Sequence, residues 1–167
     1  MKFRLFFAIF YFSSSLVYAD EMTLCDKNED VYFSCALTNN DIVSVCAKNN
    51  KTPESGYVQF RFANKNGIYK KIPEKLEAPK GIISSKFYHE KTYNFISFFT
   101  NESELLIQAY SGSYGDDEYL DGFTVGDEQI NCKMPADSEY NFNGLEEANY
   151  NYSHFPYEKM IQSASKW

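Results

Sequence analysis

Six carboxylates crowd residues 115–128: Asp116, Asp117, Glu118, Asp121, Asp127 and Glu128, with no Lys or Arg among them. Aimed at one point, such groups make a glycosidase acid pair or a calcium site. The ligand order of an EF-hand is missing, because Tyr119 stands where an oxygen ligand would have to fall if Asp117 came first. No acid pair stands out by spacing either, so the run reads as a solvated acidic loop that a cationic partner can meet. Tyr110 and Tyr114 lead into it and Tyr119 lies within it, and Tyr57 is expected on the outward face of its strand. Tyrosines beside carboxylates supply contact area and polar specificity together. The predicted contact set is Tyr114, Asp116, Asp117, Glu118, Tyr119 and Asp121.

Other chemistry is sparse. Ser111-Gly112-Ser113-Tyr114-Gly115 lacks the G-x-S-x-G order of a nucleophile elbow and reads as a loop. The two histidines, His89 and His154, belong to no catalytic or metal-binding spacing. The four cysteines, Cys25, Cys35, Cys46 and Cys132, form no C-x-x-C and have no nearby His pair, so zinc is a poor reading. Neither a metal, a cofactor nor a catalytic residue is expected.

The start of the chain places the thiols in a compartment. Lys2 and Arg4 precede an unbroken apolar run, Leu5–Phe12, then Ser13, Ser14, Ser15 and Val17-Tyr18-Ala19. That is the pattern of a secretory signal peptide cut after Ala19, and its apolar core is too short to cross ~30 Å of hydrocarbon. A periplasmic or secreted protein with no membrane anchor after cleavage is expected. In an oxidising compartment the four cysteines pair as two disulfides. The whole chain has 167 residues and a formal charge of −7. Removing residues 1–19 takes away two bases and no acids, leaving 148 residues at −9. Such a surface disfavours a nucleic-acid partner.

The elements that hold these residues show a period of two. Val31, Phe33, Cys35 and Leu37 alternate with polar or small residues, Asn39-Asn40-Asp41 is a turn cluster, and Ile42–Ala47 follows as a second strand. With that three-residue loop, Leu37 faces Val43, Cys35 faces Val45 and Phe33 faces Ala47. Cys46 then lies on the opposite face from Cys35, which excludes a bond between them. Two pairings remain open: Cys25 with Cys35 and Cys46 with Cys132, or Cys25 with Cys46 and Cys35 with Cys132.

Val58, Phe60 and Phe62 alternate next, and Asn64-Lys65-Asn66-Gly67 is a hairpin signal in which Asn-Gly supplies positive φ. Further strands are expected at Ile68–Ile72, Ile82–Tyr88, Tyr93–Phe99, Leu105–Tyr110, Phe123–Val125 and Gln129–Cys132. The fold class is all-β, an antiparallel sandwich or small barrel over residues 20–133. Residues 134–167 form an irregular tail ending in a short helix opened by Pro156, with Tyr157, Met160, Ile161, Ala164 and Trp167 on one face. Three turns of helix are unstable alone, so the stripe must dock on something.

The blocks Phe33-Ser34-Cys35, Val43–Ala47 and Gly56–Phe62, followed by a later Cys, resemble a group of small exported bacterial proteins without an assigned activity. The resemblance covers residues 25–133 and implies a bacterial, periplasmic, disulfide-bonded β-domain.

Charge is segregated along the chain: residues 61–91 carry +5 and residues 115–128 carry −6. An oxidised β-scaffold with an acidic, tyrosine-bearing loop and no catalytic constellation points to recognition. The expected function is a periplasmic inhibitor or immunity protein acting on a cationic exported hydrolase. The alternative is an envelope carbohydrate- or ligand-binding module, with or without calcium.

Overall fold

The computed structural model describes residues 22–90, 93–102, 105–114, 118–126, 128–138, 142 and 144–148. The expected leader (1–19), the expected C-terminal helix (156–167) and His154 lie outside them. Among the described residues twelve strands run in chain order: β1 Asp30–Ala36, β2 Ile42–Lys48, β3 Tyr57–Asn64, β4 Gly67–Ile72, β5 Ile83–Glu90, β6 Tyr93–Glu102, β7 Leu105–Tyr114, β8 Glu118–Tyr119, β9 Gly122–Val125, β10 Glu128–Asn131, β11 Asp137–Ser138 and β12 Glu146–Glu147. Among the described residues there is no helix.

Two sheets form. The first has the order β11-β1-β2-β3-β4, and the second β10-β9-β7-β6-β5-β12 with β8 attached to β7. Among the described residues neither closes into a barrel, so the architecture is sandwich-like. Every pairing is antiparallel except that of β12 with β5, which is parallel. The inward faces meet in one cluster that includes Phe33, Val45, Val58, Phe60, Phe98, Ile107, Ala109 and Phe123. Alternation along each strand puts these residues on one side, as period-two patterning requires.

The first hairpin keeps the expected faces but shifts by two residues. Cys35 faces Val43 and Phe33 faces Val45, because the loop spans five residues rather than three. Leu37 N–H donates to Asp41 O, Asn39 Oδ1 accepts from Asp41 N–H, and Asn40 takes a φ of 72°. A second irregularity lies between Val31 and Phe33. It turns both Tyr32 and Phe33 into the core, where Tyr32 meets Phe98 and Phe142. The Asn64–Gly67 hairpin also departs from expectation. Lys65-Asn66 is the loop, Asn64 Oδ1 accepts from Asn66 N–H, and of the expected Asn-Gly pair only Gly67 has positive φ, at 106°.

Ser111–Tyr114, expected as a loop, is instead the end of β7, paired residue for residue with Tyr93–Ile96. Packing continues past residue 133: β11 pairs with β1, and Leu145 and Phe142 join the core cluster. Asn50 holds this segment from inside. Its Oδ1 accepts from Tyr32 Oη at 3.0 Å, and its Nδ2 donates to Gly144 O at 2.8 Å.

The cysteines bond as Cys25–Cys46 and Cys35–Cys132, the second of the two pairings the faces permit. The first ties the chain before β1 to β2. The second joins β1 to the residue after β10, beside a bridge between Leu37 and Cys132.

At Gly122 the backbone runs hard against a side chain. A Cβ there would run into Tyr110 Oη and lie 2.7 Å from Ile130 O, because the buried phenol crosses directly over this residue. Gly122→Ala is expected to cost about 1–3 kcal/mol in urea unfolding through overpacking, with the midpoint lowered and both disulfides retained. An unchanged midpoint would show that the Tyr110 ring is free to move aside.

Candidate functional site

The acid-rich region is shaped by the return of the chain along β7. After 115–117, β8 doubles back so that Tyr114 pairs with Glu118 and Ser113 with Tyr119. Leu120 N–H then donates to Gly112 O. This brings Tyr114, Glu118 and Tyr119 together on adjoining strands. Tyr119 is 67% exposed, which suits a contact residue. Asp116, Asp117 and Asp127 lie outside the described residues.

Asp121 differs from its neighbours. It is 7% exposed, its Oδ1 accepts from Gly112 N–H at 3.1 Å, and its Oδ2 accepts from Ala136 N–H at 2.6 Å. Its own carbonyl accepts from Cys132 N–H. The carboxylate is a cross-tie joining β7 to the segment after β10. Burial raises its pKa, opposed by the hydrogen bonds from Ala136, Ser111 and Gly112. Tyr110 is likewise internal. It is fully buried, and its Oη accepts from Gln129 Nε2 at 2.9 Å, with burial pushing the phenol up. Of the sequence-predicted contact set, then, Tyr119 faces solvent and Asp121 is withdrawn from it.

A second cluster escaped the sequence reading. The outer face of the first sheet is polar: Ser34, Ser44, Gln59 and Arg61 alternate with the core residues, and all four are buried. Residues 22–29 cross over it as a strap. Leu24 N–H donates to Ser44 Oγ, and Ser34 Oγ donates to Met22 O. At the strap's end Glu29 meets Arg61 in a bidentate pair, Nη1 to Oε2 and Nη2 to Oε1, each 2.6 Å. The Glu29 side chain has no exposed surface and that of Arg61 only 6%. Arg61 also donates to Leu24 O and, through Nε, to Gln59 Oε1. Gln59 passes the network on to Pro73 O.

Tyr57 belongs to this cluster rather than to an open surface, since its Oη donates to Glu29 Oε1 at 2.5 Å. Burial, and then the neighbouring carboxylate, push its phenol up to about 12. Burial works against ionising Glu29 as well. The hydrogen bonds from Arg61, Tyr57 and Asp26 N–H outweigh it and hold the carboxyl below its usual range. Burial similarly opposes the charge of Arg61, and Glu29 reverses the effect and raises it. The signal that could have found the pair is a charged residue between Phe60 and Phe62 in a strand paired on both sides, because a buried guanidinium requires a carboxylate.

Cys25, Glu29 and Cys46 also lie within metal-ligand distance of one another, their ligand atoms within 4.8 Å. The two sulfurs are bonded to each other and both carboxylate oxygens are engaged by Arg61. Thiolates, not disulfide sulfurs, bind metals. The cluster can fasten the strap; as it stands it has no free ligand to offer.

Glu29→Gln is expected to lower stability at pH 7 by about 3 kcal/mol, since it leaves a buried guanidinium without its counter-charge. The folded pKa of Glu29 lies below its ordinary 4.5. Its contribution is therefore complete above that value and lost as pH falls through the folded one. The gap between native and variant proteins in urea titrations should narrow at acid pH. Asp121 works in the opposite direction: its raised pKa favours the folded state at low pH, and that contribution is lost as pH rises. It is common to both proteins, so the difference curve isolates Glu29. A gap that stays constant from pH 7 to pH 2 would contradict the pair's assignment as charged. No family model, curated protein or solved structure matches the chain.

Proposed function

We propose that the chain is an exported, periplasmic protein-binding protein of bacterial type, an inhibitor or immunity protein that engages a cationic hydrolase of the cell envelope. The observation that carries this reading is Tyr119. It is a large, two-thirds-exposed aromatic side chain on a strand braced against β7, within a run of acids that has no compensating base. Exposed tyrosines on rigid supports bind with little ordering cost, and surrounding carboxylates steer a cationic partner and set its orientation. Asp121 contributes by fixing the backbone that carries β8, while Glu118, Asp116 and Asp117 supply the field.

Among the described residues the charged groups that are well buried, Arg61, Glu29 and Asp121, are committed to holding the scaffold. That division favours recognition over bond-making. A leader cut after Ala19 would deliver the chain to a compartment in which both disulfides persist.

The test is titration of the purified protein with a cationic lysozyme and, in parallel, capture from periplasmic extract at 50 and 300 mM salt. Binding should weaken with salt. Tyr119→Ala should reduce affinity about tenfold or more, about 1.4 kcal/mol, with the melting temperature unchanged because the side chain is largely in solvent. Asp116→Asn with Asp117→Asn should slow association more than it speeds dissociation. Failure to recover any exported cationic protein at either salt concentration would overturn the proposal.

A further inference from the structure

Each disulfide joins a half-buried cysteine, Cys25 or Cys132, to a buried one, Cys46 or Cys35, so exposure does not tell the two bonds apart. Their backbones do. Cys132 is built into a ladder: its N–H donates to Asp121 O, it bridges to Leu37, and on either side Thr38 N–H donates to Asn131 O and Lys133 N–H to Ala36 O. Cys25 lies in the strap, residues 22–29. Among the described residues no backbone-to-backbone hydrogen bond joins the strap to a strand; within it, Glu29 N–H donates to Asp26 O. Side chains do the fastening. Ser44 Oγ accepts from Leu24 N–H, Ser34 Oγ donates to Met22 O, and Arg61 donates to Leu24 O and to both carboxylate oxygens of Glu29. A segment held without a ladder opens locally for much less free energy than global unfolding takes. Freeing Cys132 parts strands; freeing Cys25 does not.

What the strap covers is a polar row. Ser34, Ser44, Arg61 and Lys71 stand opposite one another across β1, β2, β3 and β4, and direct opposition puts all four on the outer face. Ser34, Ser44 and Arg61 are 5% exposed or less, whereas Lys71, at the sheet's edge, is exposed. The strap therefore seals the inner part of a row that its own Glu29 neutralises.

We infer that Cys25–Cys46 is a thiol-exchange site and the latch of the strap: a dithiol reductant opens it, and residues 22–29 lift from the outer face of the first sheet while the sandwich stays folded. A thiolate of the reductant attacks Cys25 Sγ, the half-buried end, because Cys46 has no exposed surface. The S–S bond breaks, a mixed disulfide forms at Cys25, and Cys46 leaves as a thiolate that takes up a proton. The reductant's second thiolate then attacks its own sulfur in that mixed disulfide. It closes an oxidised reductant and releases Cys25. Two electrons pass from the dithiol to the protein, and its two protons end on Cys25 and Cys46. Thereafter only the Glu29–Arg61 pair and the hydrogen bonds at Ser34, Ser44 and Leu24 hold the strap. Lifting it opens the guanidinium and the two hydroxyls to solvent. The latch is on the first sheet and is independent of the Tyr119 contact on the second.

The test treats the purified, oxidised chain with graded dithiothreitol, traps thiols with iodoacetamide and locates the labelled cysteines by peptide mass mapping. Cys25 and Cys46 should be labelled several-fold faster than Cys35 and Cys132, with the far-ultraviolet β spectrum retained. In 8 M urea, where neither backbone is held, the two rates should converge. At the dithiothreitol concentration that opens Cys25–Cys46 alone, and without alkylation, hydrogen exchange should quicken several-fold in residues 22–29 and stay unchanged in β2 and β3. Ser44→Ala, which removes the anchor of Leu24 N–H, should speed labelling of Cys25 and leave that of Cys132 as it was. Equal native rates for the two bonds, or earlier opening of Cys35–Cys132, would overturn the inference. Loss of the β spectrum on opening Cys25–Cys46 alone would also overturn it, as would unchanged exchange in residues 22–29.

Discussion

A guanidinium placed on the solvent side of a central strand and then sealed from solvent constrains much of this structure. Arg61 cannot stay buried without a carboxylate, and Glu29 can reach it only if residues 22–29 lie across the sheet. The pair therefore specifies a conformation as well as contributing energy. It selects the strap's path, orders Tyr57 through its hydroxyl, and extends through Gln59 to the connection after β4. Hydroxyl contacts at Ser34 and Ser44 complete a polar layer on a face that an ordinary sandwich would leave wet. The Cys25–Cys46 bond holds the same strap covalently, so two unlike interactions, one sensitive to pH and one to redox state, fasten one segment.

The second disulfide acts on the other side of β1. Cys35 faces the core and reaches Cys132, 97 residues along the chain. In the chain-entropy view, closing a loop of that size restricts the unfolded ensemble by nearly 5 kcal/mol, against about 3 for the 21-residue separation between Cys25 and Cys46. Cys132 N–H also donates to Asp121 O, and Asp121 ties β7 to Ala136. The end of the sandwich that bears β8 is thus anchored to the first sheet through covalent and hydrogen-bonded links.

Face assignment was legible because it depends only on parity. Alternation in 31–37, 42–47 and 58–62 placed Cys35 and Cys46 on opposite sides and eliminated one of three disulfide pairings. Register was less accessible, because it depends on loop geometry: a five-residue turn displaced the first hairpin by two residues while conserving the faces from Phe33 onward, and the irregularity between Val31 and Phe33 turned Tyr32 inward in place of Val31. Ser111-Gly112-Ser113 has a loop's composition, but ten consecutive partners on β6 and a buried Ser111 hold it as strand. Tertiary pairing overrode local preference there. The packing of Leu145 and the parallel pairing of β12 could not be read from an Asn- and Glu-rich segment, since they depend on Asn50 offering its amide to Gly144 from 94 residues away.

The acidic run shows how one compositional signal divides into two physical roles. By sequence, Glu118 and Asp121 are members of the same patch, three residues apart. The chain's path separates them: Glu118 is on β8, whereas the carboxylate of Asp121 is spent on two backbone N–H groups. An exposed acid acts over about a Debye length and is screened by salt, while a buried one acts on its immediate donors and is not. The −6 of residues 115–128 therefore overstates the field at the surface. What Asp121 withholds from that field it returns as rigidity in the strands that present Tyr119.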